Sequence, residues 1–213
     1  MTIISFAYKL ADEVIFMNYK DYQQARDAAW RILIDCGVHE LPVSLNAVCR
    51  HLGVRVFSYS DADQMIQKRG LTQVVSQTDG LSFYNKGTPI VLFDQSLPLS
   101  RNRFTIGHEL GHIILGHVRP GQATIRNREP APEDDPFETA ANQFSVRILA
   151  PACVLWGLNL HTPEAISEVC GISLASARFR AERMEILYKR GKFLTSPLER
   201  QLYDQFHDFI ARR

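Results

Sequence analysis

The 213-residue sequence predicts an α+β fold that is mostly helical, with one small antiparallel sheet. In most of the chain, apolar residues recur at the three- and four-residue spacing of amphipathic helices. Two short apolar runs, residues 81–84 and 90–93, instead flank a turn-forming stretch, as the strands of a hairpin do. The composition, 46% hydrophobic and 22% charged, is typical of a chain that buries a core.

The first elements are predicted from periodicity and from the residues that end each run. Residues 21–36 have the pattern of an amphipathic helix that stops at Gly37. Ser44 is suited to cap a second, shorter helix that ends at Gly53, and residues 54–59 have the pattern of a strand. The hairpin follows this strand.

The second half of the chain predicts further helices. A long helix over residues 100–118 ends before Pro120, and the charged, proline-rich residues 126–135 predict an exposed loop. Pro136 is suited to the first position of the next helix, which Pro151 ends. Three more helices are predicted at residues 163–169, 174–189 and 197–210. We expect a core over residues 1–155, with a helical C-terminal segment over residues 156–213 packed on it.

Charge, cysteine content and hydropathy argue against a nucleic-acid-binding, disulfide-bonded or membrane-spanning protein. A formal net charge of +1 provides no strong field for nucleic acid or an anionic membrane. The four cysteines lie far apart and form no CxxC pair, so we expect reduced thiols. No apolar run approaches the roughly 20 residues of a membrane span, and charges interrupt residues 1–20, unlike a signal peptide. These features predict a cytoplasmic protein.

The strongest chemical signal is the run His108-Glu109-Leu110-Gly111-His112 in the long helix. Histidines four residues apart on a helix project from one face, and both can reach one zinc ion at about 2.0–2.1 Å. Glu109 is rotated by about 100° from His108, so it is placed to act on a water held by the metal as a general base. The motif therefore predicts a catalytic zinc site in a zincin-like core.

The surroundings of the motif strengthen this interpretation. Apolar residues occupy almost every side of the helix, so two histidines and a glutamate within it would be costly to bury unless a metal or hydrogen bonds satisfied them. Gly111 in mid-helix suggests that another backbone or a ligand comes close. A histidine pair satisfied by hydrogen bonds alone remains the alternative.

A third ligand must come from elsewhere in the chain. Metzincins would have a glycine at 115 and a histidine at 118, where this sequence has Leu115 and Val118. The remaining possibility is the gluzincin arrangement, in which a carboxylate from a later helix is the third ligand. Glu138, in the first turn of the next helix, is the best candidate. The alternative for Glu138 is a capping role beside Asp135. Weaker ligand candidates lie in the loop: Glu129, Glu133, Asp134 and Asp135.

Three further polar residues are candidates for supporting roles. Asn142, one turn after Glu138, could orient that carboxylate, or it could be a surface amide. Tyr84 and His117 are candidates for stabilising an oxyanion, against the alternatives of a packed strand tyrosine and a helix-end histidine.

Four stretches, residues 41–54, 90–94, 103–112 and 138–151, resemble the ImmA/IrrE family of metallo-endopeptidases. The resemblance spans roughly residues 25–187. It implies that the zinc ligands are His108, His112 and Glu138, and that the catalytic glutamate is Glu109. The family often has a second acidic residue two before the asparagine, where this chain has Ala140.

The resemblance also implies a role, since such proteases commonly act as anti-repressors that cleave a helix-turn-helix repressor. The hairpin could bind the protein substrate as an added strand. One alternative is a DNA-binding regulator, because residues 163–189 outline a helix-turn-helix with Arg178, Arg180 and Arg183, although four glutamates offset their charge. A zinc-binding adapter without turnover is another.

Overall fold

The computed structural model describes residues 19–120 and 135–213 and confirms the mostly helical α+β class. Contacts group the chain into two compact units, Ser44–Ser145 and the combination of Met1–Val43 with Val146–Arg213. The predicted division at residue 155 stays a prediction. Residues 1–18 and most of the predicted loop at 126–135 lie outside the described residues.

The described elements follow the predicted order, with three short helices, α3, α4 and α7, that the sequence pattern missed. In chain order they are α1 (Tyr19–Asp35), α2 (Leu45–His51), β1 (Arg55–Ser58), α3 (Asp63–Lys68), α4 (Thr72–Val75), β2 (Gly80–Asn85), β3 (Thr88–Phe93), α5 (Leu99–Ile114), α6 (Pro136–Leu149), α7 (Ala152–Gly157), α8 (Pro163–Cys170), α9 (Leu174–Arg190), α10 (Pro197–Gln205) and α11 (His207–Ala211).

The sheet has the strand order β1-β3-β2. Strands β2 and β3 form the predicted antiparallel hairpin, with Asn85 opposite Thr88. The expectation of a purely antiparallel sheet was wrong, because β1 pairs parallel with β3, with Arg55 opposite Ile90. A parallel pair needs a crossover connection, and here the missed helices α3 and α4 lie between β1 and the hairpin. The sheet is therefore mixed.

Each face of the sheet is covered by helices of the same unit. Alternate residues of a strand point to opposite faces, so Leu81, Phe83, Ile90 and Leu92 share one face, where they form an apolar cluster with residues of α3 and α4. The other face of the hairpin packs on α5. This arrangement holds the motif helix directly against β2.

Helix α5 packs closely on α6 because two glycines lie at the contact. A Cβ atom at Gly107 would lie 2.7 Å from Ser145 Oγ, and one at Gly111 would lie 3.2 Å from the Ala141 carbonyl oxygen. Phe144, which is fully buried, packs against Gly111. Ser145 Oγ also donates a hydrogen bond of 2.9 Å to the Phe104 carbonyl oxygen. The glycine in mid-helix thus allows the close backbone approach that the sequence suggested.

The unit of Met1–Val43 and Val146–Arg213 is helical in its described part, with α1 packed on α10 and α8 on α9. Capping bonds define the starts of α8 and α9, where Thr162 and Ser173 accept from the main-chain N–H groups of Ala165 and Ser176. The predicted final helix is two helices, α10 and α11, separated at Phe206.

The motif helix α5 is also shorter than predicted. It ends at Ile114, before the predicted residue 118, because Gly116 adopts a positive φ of 74°.

In line with the expectation of reduced thiols, no disulfide joins any two of Cys36, Cys49, Cys153 and Cys170. Within the described ranges, no helix is both long enough and apolar enough to cross a bilayer.

Replacing Gly111 by alanine is expected to lower the free energy of unfolding by about 1–3 kcal/mol, because the added methyl group would lie 3.1 Å from the Phe144 ring and 3.2 Å from the Ala141 carbonyl oxygen, in a contact where both are tightly packed. Helix propensity alone would give the opposite sign, a gain of about 1 kcal/mol. Urea denaturation measures the difference, and Ser100→Ala in the first turn of the same helix is the control, with an expected change within about 0.5 kcal/mol. A Gly111→Ala protein as stable as the wild type would contradict close packing at this contact.

Candidate active site

The motif residues are held on the buried side of α5. Glu109 and His112 are each 1% exposed and His108 is 9% exposed. The prediction of a helix that is buried nearly all round is confirmed, because Thr105 to Ile113 are all buried. Polar side chains buried to this extent need partners.

His108, His112 and Glu138 come together as one cluster, with a ligand atom of each within 4.8 Å of the others. The two Nε2 atoms are 3.0 Å apart. The Glu138 carboxylate lies 3.2 Å from His108 Nε2 through one oxygen and 3.3 Å from His112 Nε2 through the other. Four ligands placed tetrahedrally at about 2.0–2.1 Å from one ion are about 3.3 Å from each other. The cluster therefore has the dimensions of a metal site.

The helix cap at the start of α6 is formed by a different residue. Asp135 Oδ1 accepts a hydrogen bond of 2.8 Å from the Phe137 main-chain N–H, in the manner of an N-cap. Glu138, partly exposed, turns its carboxylate toward the two histidines. This geometry favours the ligand interpretation of Glu138 over the capping one. Of the weaker loop candidates, Glu129, Glu133 and Asp134 lie outside the described residues.

The outer nitrogen of each imidazole also has a partner. His108 Nδ1 is 2.8 Å from Asn142 Oδ1, and because an amide oxygen only accepts, this contact favours the tautomer that has its proton on Nδ1 and its Nε2 lone pair toward the cluster. His112 Nδ1 is 3.1 Å from His117 Nδ1. Such bonds to the outer nitrogen fix the ring orientation and the basicity of metal-binding histidines.

These contacts change the expected roles of two residues. Asn142 was predicted to orient Glu138, but it bonds His108 instead, one turn along the facing helix. His117 was a candidate oxyanion stabiliser, but its ring lies at the outer nitrogen of His112 and forms a T-shaped contact with Phe137 at a centroid distance of 4.7 Å. Both residues are thus placed to orient the histidines.

Electrostatics favour the neutral form of His112. Burial lowers its pKa, and the neighbouring His108 acts in the same direction, while the hydrogen bond to Glu138 opposes the shift. A neutral imidazole is the form that binds a metal ion. Burial thus favours the form of His112 that can bind a metal ion.

Glu109 is held by a hydrogen bond from strand β2. Ser82 Oγ on β2 donates a hydrogen bond of 2.7 Å to Glu109 Oε2. Gly80, two residues earlier, lets β2 lie close to α5, because a Cβ atom there would clash with the Thr105 side chain of that helix. Ser82 was not predicted from the sequence. The available signal was a polar residue between two apolar ones in a predicted strand.

Tyr84 follows Ser82 by two residues on β2, so its side chain leaves the same face of the strand as the Ser82 hydroxyl. Its proposed part in stabilising an oxyanion stays a prediction. The part of the site that the structure brings together therefore consists of the two histidines, Glu109 and Glu138, with Ser82, Asn142 and His117 around them.

Comparison with known proteins supports the resemblance to metallopeptidases. The family model of peptidase family M78, described as the IrrE N-terminal-like domain, matches residues 49–182. A search of the curated proteins found no significant match. The matched region covers more than half of the 213 residues and includes the whole cluster described above. The chain therefore belongs to the M78 peptidases, the ImmA/IrrE family of metallopeptidases, as the sequence resemblance predicted.

Proposed function

We propose that the protein is a zinc-dependent endopeptidase in which His108, His112 and Glu138 hold the metal and Glu109 is the general base. The observation that carries the proposal is the cluster of two imidazole nitrogens and one carboxylate, with a buried glutamate next to it in the motif helix. Two histidines and one glutamate are a known ligand set of catalytic zinc, which keeps its fourth position for water or substrate.

The donor chemistry supports zinc over other common ions. Mg²⁺ and Ca²⁺ prefer oxygen ligands in larger number, whereas this cluster offers two neutral nitrogens and one carboxylate. A structural zinc site would be closed by four protein ligands, often cysteines. The cluster found among the described residues has three members and contains no cysteine.

A bound zinc ion supplies Lewis acidity, which polarises the scissile carbonyl and lowers the pKa of a water molecule. The chain supplies the proton transfers. In the proposed mechanism Glu109 takes the proton of the attacking water and later delivers it to the leaving amine. Its 1% exposure keeps bulk water away from the carboxylate, and Ser82 holds one of its oxygens.

The hairpin offers a binding mode for an extended substrate. Among the described strands, β2 pairs only with β3, so one edge of β2 remains available for an added strand. A peptide on that edge would run beside α5, against which the hairpin packs. On the family resemblance, we propose that the substrate is a helix-turn-helix repressor and the protein an anti-repressor. The four cysteines form no disulfide, which is consistent with action in the cytoplasm.

Direct DNA binding through α8 and α9 is the weaker candidate. Arg180 is 4% exposed, and Arg183 donates from Nη2 to the Tyr22 hydroxyl at 3.2 Å. Arg178 is exposed. The three arginines therefore do not share one solvent-facing surface of the kind that reads a DNA groove. We propose that the protein contacts its substrate and no nucleic acid.

Replacing Glu138 by alanine should lower zinc affinity by more than about 100-fold, because it removes a direct ligand, whereas loss of an outer partner such as Asn142 costs about 10–100-fold. Competition with a chromophoric chelator measures both affinities. Asp135→Ala is the matched control at the same helix end and should keep wild-type affinity, since Asp135 caps the helix. Equal affinities of the Glu138→Ala protein and the wild type would remove Glu138 from the ligand set.

Replacing Glu109 by glutamine should separate metal binding from chemistry. The amide keeps the shape of the side chain but cannot take a proton from water, so cleavage of a co-expressed repressor should slow by about 10²–10⁴-fold while zinc stays bound. Cleavage is followed by gel and zinc by metal analysis of the same sample. Unchanged cleavage, or loss of zinc together with cleavage, would refute the assignment of Glu109 as general base. A zinc-loaded wild type that never cleaves would favour the non-catalytic adapter.

A further inference from the structure

A hydroxyl on the sheet is bonded to the glutamate on the motif helix. Ser82 Oγ donates to Glu109 Oε2 at 2.7 Å, and the two side chains are 7% and 1% exposed. We infer that Ser82 is a positioning residue that holds the carboxylate of Glu109 in the orientation required for proton transfer. The inference rests on the proposed peptidase function and adds a residue that the HExxH motif does not contain.

The strength of the bond follows from its chemistry and its surroundings. A hydroxyl that donates to an ionised carboxylate forms a short, charge-assisted hydrogen bond, about twice as strong as a neutral one. Burial removes competing water and increases the electrostatic part of the interaction. With one oxygen held, rotation of the carboxylate about its terminal bond is restricted, which fixes the direction of the second oxygen.

The sheet, and not a loop, determines where the hydroxyl lies. Ser82 is opposite Val91 in the antiparallel β2–β3 pair, and Val91 is fully buried. Gly80 lets the same strand lie close to α5, because a Cβ atom there would clash with the Thr105 side chain of that helix. The packing of β2 on α5 within one unit therefore fixes the position of the Ser82 hydroxyl relative to the Glu109 carboxylate.

This geometry predicts an effect on kcat and not on KM. The Ser82 side chain is directed at Glu109, whereas an extended substrate would pair with the main chain of β2. Removal of the hydroxyl should leave substrate binding intact and allow the base to leave its productive orientation. A small misplacement of a catalytic group can cost about 10²-fold in rate.

Two variants of almost equal shape isolate the hydroxyl. Ser82→Thr retains the donor and Ser82→Val replaces it with a methyl group, while both add the same second branch at Cβ. In the zinc-loaded full-length enzyme we expect Ser82→Val to lower kcat by about 10–100-fold with KM within about twofold, and Ser82→Thr to retain most of kcat. Metal analysis should show the same zinc content in both. Equal kcat values for the two variants would overturn the inference.

A readout independent of activity comes from a double-mutant cycle on the full-length protein. Urea unfolding of Ser82→Ala, Glu109→Ala and the double variant should be non-additive, because each single change removes one partner of the same bond. Additive losses would overturn the inference, since the two side chains would then not interact. If the wild type cleaves, Glu109→Gln does not, and Ser82→Val cleaves as fast as the wild type, the role of Ser82 is refuted. The proposed peptidase function would stand. A wild type without peptidase activity would refute the proposed function and this inference together, even with a non-additive cycle.

Discussion

The close contact between α5 and α6 at Gly107 and Gly111 is the constraint on which the site depends. On α5, the residues that follow the two glycines are His108 and His112, which are therefore also one turn apart. On α6, Glu138 and Asn142 form a second pair with the same spacing. When Gly107 and Gly111 pack on α6, His108 and His112 must face the side of α6 that carries Glu138. A wider separation of the helices would take the carboxylate away from both imidazoles.

The side chains that carry the chemistry are held by partners within the protein. Asn142 and His117 hold the outer nitrogens of the histidines, and Ser82 holds Glu109. These bonds reduce the cost of burying polar groups and restrict the rotamers of the side chains that carry the chemistry. Glu138 is the more exposed member, so the cluster reaches solvent on the side of α6.

Local sequence patterns predicted the helices, the hairpin and the HExxH chemistry, because periodicity, caps and fixed spacing act over a few residues. Glu138 was found by a combination of helix position and elimination. The contacts that were missed, or assigned to the wrong partner, join residues distant in sequence. Ser82 meets Glu109 only because β2 packs on α5, and Asn142 bonds His108 because of the register between two helices. The parallel pairing of β1 was missed for a similar reason, since it depends on two short helices without clear periodicity.

Anomalous diffraction at the zinc edge, from crystals of the zinc-loaded protein, tests most directly whether this helix packing builds the metal site. We expect one strong peak at about 2.0–2.1 Å from Nε2 of His108, from Nε2 of His112 and from a carboxylate oxygen of Glu138. Nδ1 of His108 should still bond Asn142. A peak at the cysteines, or one held by the two histidines with Glu138 turned away, would contradict the account.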